Sequence, residues 1–224
     1  MSGLKEHNYD FVQAGGQVTP DEIDEYIRFN TGVLSIDTAW FGTCAGGTST
    51  QAKPLVLINA NADYPRNAYY GVAGTSDMGG TWVVNGYDQF GKAFTETVAV
   101  GTATNGGTVA GTTIIGSVTS GTFTVATGSK GNGSARLGVA IGTSGTTLFK
   151  LGLLTKIGGT ADVKNITWVK ENVVTTVNGG TIGALVDATN HAFSGSAIMG
   201  GTEQYVVRVK PTWDNSGKPS MSGV

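Results

Sequence analysis

The sequence predicts an all-β protein: a β-sandwich, jelly-roll-like, preceded by an N-terminal arm that carries one short helix. From Lys53 onward, segments rich in Val, Thr and Ile alternate apolar and polar residues with a period of two, the pattern of half-buried strands. Glycine-rich punctuation separates many of these segments, as at 104–107, 127–133, 142–145, 178–180 and 200–201. The chain's 36 glycines follow no three-residue period, so they mark tight turns and not a collagen-like or linker sequence. Many short strands at such spacing predict a sandwich or barrel. The strands are expected at 54–59, 67–73, 81–87, 93–100, 108–116, 121–126, 135–142, 147–153, 163–170, 173–177, 182–187 and 203–210.

The helix is predicted by a capping box. Thr19 is its N-cap, Pro20 its first helical residue and Glu22 its third, which places a helix near 20–29. Ile23, Tyr26 and Ile27 recur at helical spacing and form one narrow apolar stripe, a candidate interaction face. Asp21, Glu22, Asp24 and Glu25 fill the first turns, where the helix dipole favours them, and lack the spacing of a calcium loop. Residues 1–54 are therefore read as the arm, 55–211 as the sandwich domain and 212–224 as a flexible tail.

Composition excludes several functions. Charged residues make up 13% and the formal net charge is -2, so there is no basic patch to neutralise nucleic-acid phosphates. No segment approaches the ~20 apolar residues of a membrane span, and the start of the chain does not read as a signal peptide. The single Cys44 fits a chain made in reducing cytoplasm. The two histidines, His7 and His191, lack the partners that a zinc site would need. Ser134 and Ser144 sit in glycine-rich turns without a nucleophile elbow. No catalytic group, metal site or cofactor is expected.

Gly86-Tyr-Asp-Gln-Phe-Gly-Lys-Ala93 matches a phosphate-binding loop at every fixed position but the last, where Ala93 replaces the hydroxyl that would reach Mg²⁺. Strand-like alternation on both sides, instead of a helix after it, predicts a hairpin with Asp88 and Gly91 as turn residues. Glu96 shares a strand face with Phe94 and Val98, so it is expected at a sheet edge, paired with a base such as Arg66 or Arg136, or in an interface, with a structural ion pair favoured over a catalytic role. Tyr69 and Tyr70 must point to opposite faces, which makes one of them a candidate for contact with a sugar or another subunit.

Taken in order, Asp63-YPRNAYYGVAG, Gly80-TWVVNGYDQFGKAFTETVAV, Gly111-TTIIGSVTSGTFTVATGSKGNGSARLGVAIG and Gly180-TIGALVDATNHAFSGSAIMGGTEQYVVRVK resemble a layout found in virion proteins of tailed bacteriophages. The resemblance covers residues 63 to 210. It implies a non-enzymatic head decoration or cement protein, which binds the major capsid protein as a homo-oligomer, often a trimer, and resides in the virion head. Arg66, Asn67, Asp88, Gly91, Thr95, Glu96 and Thr97 match the layout and take structural roles by the same implication. The arm would reach onto the capsid or a neighbouring copy. A receptor- or glycan-binding tail or head-fibre module is the alternative.

Overall fold

The computed structural model describes residues 27–32, 34, 36–46, 50–73, 78–103, 107–126, 133–140, 143–144, 147–170, 173–176, 185–194 and 204–209. In chain order the strands are β1 (Ile27–Asn30), β2 (Asp37–Ala45), β3 (Ala52–Pro54), β4 (Val56–Leu57), β5 (Asn61–Ala73), β6 (Met78–Asp88), β7 (Ala93–Ala103), β8 (Thr108–Val125) and β9 (Ser134–Val139). They continue with β10 (Thr143–Ser144), β11 (Thr147–Leu148), β12 (Lys150–Gly152), β13 (Val163–Lys170), β14 (Val173–Thr176), β15 (Val186–Asp187), β16 (Ala192–Ser194) and β17 (Gln204–Val209). A single turn of 3-10 helix over Thr160–Asp162 leads into β13. The protein is all-β, and its described strand pairs are antiparallel.

The larger sheet runs β15-β16-β12-β5-β8-β6-β7, with β2, β3, β4 and β9 joined to its flank. It curls back on itself. Residues 52–73 run along one side of β8, through β3 at Thr122–Thr124 and β5 from Ser117 to Thr108. The other side of the same segment meets β2 at Val56–Leu57 and β9 at Tyr69–Ala73, while β2 and β9 pair with each other. That ring of ladders encloses the first core, in which Trp82 packs on Phe123 (5.2 Å between ring centroids) and Tyr70 (6.2 Å) among Phe41, Cys44, Ile115 and Leu137. The strands contribute alternate residues to it: Trp82 and Val84 from β6, Val98 and Val100 from β7, Phe123 and Val125 from β8.

The smaller sheet, β1-β17-β13-β14, packs face to face against the β12, β15 and β16 end of the larger one. Between them lies a second core of Tyr64, Leu151, Leu153, Val163, Ile166, Phe193, Tyr205 and Val207, with Phe193 edge-on to Tyr205 at 5.5 Å. This face-to-face pairing is the sandwich.

Three expectations need correction. The helix expected near 20–29 does not extend over Ile27–Asn30, which form β1 and pair with Val206–Val209 of β17. A helix that short gains little by itself, whereas a β-branched and aromatic segment beside an open strand gains a full ladder. The arm expected over 1–54 is also too long. Its residues 27–54 contribute β1, β2 and β3 to the sheets and Leu34, Phe41 and Cys44 to the cores. Finally, 108–116 and 121–126 are one strand, β8, because partners on both sides hold the Gly- and Ser-containing stretch between them extended. Residues 1–26, with Ile23 and Tyr26, lie outside the described residues, as does the tail 212–224.

Candidate functional site

Two of the residues singled out in the sequence, Asn67 and Glu96, meet at a slip in the β5–β8 ladder. Asn67 faces Ile114 and Tyr69 faces Ala110, so β8 advances four residues while β5 advances two. The excess on β8 is a bulge, and it turns the N–H groups of Thr112 and Thr113 the same way. Both donate to Oε1 of Glu96, at 2.6 and 3.1 Å, and the Thr112 hydroxyl adds a third bond at 2.8 Å. Oε2 accepts the phenol of Tyr70 at 2.7 Å, and burial together with the Glu96 charge pushes that phenol far above its usual range. Gly111 leaves room for this group, since a Cβ there would sit 2.6 Å from Oε2. Glu96 is thus held by amides and hydroxyls, and the ion pair with Arg66 or Arg136 expected for it is not formed.

Arg66 instead pairs with Asp63, three residues earlier on the same strand. Its side chain is buried, which lowers its basicity while Asp63 opposes that effect. Asn67 bridges the strands on either side of β5, donating to the Gly111 carbonyl at 2.7 Å and accepting the Lys150 N–H at 2.6 Å. Asn67 and Glu96 thus hold the bulge, and both side chains are buried. Tyr70, an interaction candidate in the sequence, is fully buried and points into the first core. Tyr69 is half-buried, stacked on Phe149 at 6.2 Å and hydrogen-bonded to Thr108. Of the pair, only Tyr69 keeps any of its ring toward solvent. Ile27 lies in β1 opposite Val209.

Gly86–Ala93 joins β6 to β7 through a tight turn. Oδ1 of Asp88 accepts the N–H groups of Phe90 (2.8 Å) and Lys92 (2.9 Å), and Gly91, at φ +76°, donates its own N–H to the Asp88 carbonyl. A strand follows the turn, so no helix N-terminus is present to receive phosphate. The next residue, Gln89, ties this tip to two loops: Nε2 donates to the carbonyls of Asn190 and His191, and Oε1 accepts the Leu154 N–H. An open cleft of about 620 Å³ lies there, lined by Phe90, Lys92, Phe94, Lys156, Asn190 and His191 among others. His191 and Leu154, at φ +48° and +57°, both hold a left-handed backbone that costs a non-glycine residue energy. His191 packs edge-on to Phe90, and its Nδ1 accepts the Ile157 N–H at 3.2 Å. Burial and the positive charge of Lys156 lower its pKa, against the pull of Asp187.

A second exposed feature lies at the seam of the curled sheet. Val56, Leu57 and Ile58 are consecutive and 65, 40 and 63% exposed. Their backbone is fixed all the same. Leu55 donates its N–H to Gly121 and packs inward, Ile58 donates to Phe41, and Trp40 and Asn59 exchange side-chain bonds with the backbone of Asn61 and Trp40. Gly42 permits the close approach, because a Cβ on it would lie 2.1 Å from the Val56 carbonyl oxygen. The sequence pattern over 54–59 predicts an ordinary strand. The missed signal is the unbroken apolar run Leu55-Val-Leu-Ile58, which would fit a strand covered on both faces.

Cys44 is fully buried, and burial pushes its thiol up to about 11 against a backbone hydrogen bond from Phe123, so it is chemically inert. Among the described residues there is no group of three or more His, Cys, Asp or Glu side chains placed to hold a metal ion. No helix there is long and apolar enough to cross a membrane. Comparison with protein-family models, with curated proteins and with solved structures gives no match to this chain.

Proposed function

We propose that this chain is a non-enzymatic structural protein of a bacteriophage virion, one that binds the capsid surface as a homo-oligomer, a trimer in the simplest case, and reinforces the head shell. The observation that carries this reading is the rigid, exposed run Val56–Ile58. Single exposed apolar side chains are ordinary, but three in succession on a fixed backbone favour a surface that another protein covers. Each is already partly covered, so burying the rest of it would contribute roughly 1–2 kcal/mol, and many copies on a shell make contacts of that size sufficient. The order of blocks along residues 63–210, which resembles phage virion proteins, supports the same reading. So does a net charge of only -2, since docking would then rest on shape and burial more than on charge.

The test compares the wild-type chain with a Val56→Asp, Ile58→Asp double variant in co-sedimentation with empty phage head shells. Loss of sedimentation with an unchanged thermal midpoint is the expected result. Equal binding of both proteins would remove this surface from the account.

A further inference from the structure

The cleft at the β6–β7 tip has a chemistry of its own, independent of where the protein docks. Its lining carries two lysines, Lys92 and Lys156, and one carboxylate, Asp88. Oδ1 of that carboxylate is already engaged by the N–H groups of Phe90 and Lys92. His191 uses Nδ1 as an acceptor, so in the neutral ring the hydrogen sits on Nε2, which makes that nitrogen a donor. In charged groups the lining therefore holds two ammonium groups to one carboxylate, with the imidazole N–H as a further donor. Beside these donors are apolar surfaces from Phe90, Phe94 and Ile114, and the Lys156 ammonium lies 5.8 Å from the centre of the Phe90 ring. The walls are braced. Gln89 clamps both loops to the hairpin, and Asp187 accepts from Lys150 and from the Thr189 and Asn190 N–H groups. The strained backbones of Leu154 and His191 occur in these same two loops.

We propose that this cleft is a binding site for an acidic peptide segment, taking one or two carboxylates between Lys92, Lys156 and His191 and an adjacent apolar side chain against Phe90 and Phe94. Carboxylate is favoured over phosphate by the donor set. Phosphate sites are typically built from arginine forks or converging backbone amides; the described lining has no arginine, and its converging amides, those of Phe90 and Lys92, are already taken by Asp88. Lysine ammonium groups and an imidazole N–H supply single, separate bonds of the kind that spaced carboxylates can use.

The probe is an acetylated, amidated pentapeptide alternating glutamate and phenylalanine, titrated into the full-length chain and followed by amide chemical shifts. Saturable shifts at Phe90, Lys92, Asn190 and His191 are expected. A Lys92→Glu, Lys156→Glu variant should bind at least about tenfold more weakly. A Lys92→Gln, Lys156→Gln variant, which removes the charge without reversing it, should weaken it in the same direction. Equal binding of the glutamine counterpart peptide would overturn the proposal, because the site would then be merely apolar. Inorganic phosphate producing the same shifts at lower concentration would overturn it in favour of a simple anion site. Absence of saturation with a folded sample would overturn it outright.

Discussion

Glu96 keeps its carboxylate in the interior, 7% exposed, because each bond it gives up to water is replaced by one from Tyr70, Thr112 or Thr113. Removing it would leave two bulge amides and a phenol without an acceptor. Glu96→Ala should therefore cost about 3 kcal/mol and Glu96→Gln about 1 kcal/mol, measured by urea denaturation. An alanine cost below about 0.5 kcal/mol would mean that the bulge does not need it. His191 makes a pH prediction. Its folded pKa is lowered, so the unfolded chain binds the proton more readily, and stability falls as pH drops below about 6.5 toward the folded value. Asp187 works in the same direction at lower pH. Burial would raise its pKa, but bonds from Lys150 and Asn190 outweigh that and bring it to about 2, so its contribution is lost as pH falls through the range between about 4 and 2. Thermal midpoints across pH should show a first decline beginning near 6.5 that disappears in His191→Asn, a residue that tolerates the left-handed backbone. A decline unchanged in that variant would assign the effect elsewhere.

At the scale of elements, the sequence patterns that were legible are those set by a strand and its own neighbour in sequence. The β6–β7 hairpin is local: alternation defines both strands, and Asp88 and Gly91 define the turn. The interpretation of Glu96 failed for the opposite reason. The oddity of a carboxylate between Phe94 and Val98 is visible in the sequence, but its partners lie on a bulge made by the slip of β5 against β8. No residue pattern in either strand states that slip. The same limit hid β1, whose pairing with β17 joins segments far apart in the chain. Close approaches between strands were invisible for a related reason. A Cβ on Gly138 would lie 2.2–2.4 Å from backbone atoms of Asp37 and Thr38. Gly138→Ala should thus force β2 away from β9 and cost about 1–3 kcal/mol, lowering the thermal midpoint by several degrees. An unshifted midpoint would show that β2 can move freely there.

For the whole molecule, two cores and a curled sheet leave little of the described chain that could act as a detached arm. Leu34, Phe41 and Cys44 belong to the cores, so deletion of residues 1–54 should unfold the protein and is the wrong way to test docking. Composition spoke correctly about an all-β class because period and punctuation act everywhere along the chain. It could not reveal the cleft, which needs the hairpin tip to meet residues 154–157 and 189–191 in space. Nor did it distinguish the exposed run Val56–Ile58 from a covered strand, since both look equally apolar in sequence. The central claim is assembly on a capsid, and its most direct measurement is saturation binding of the purified chain to empty head shells by co-sedimentation. The account predicts a plateau at hundreds of copies per shell, in a ratio to capsid protein set by the shell's symmetry. A folded protein that stays in the supernatant at every concentration would contradict it.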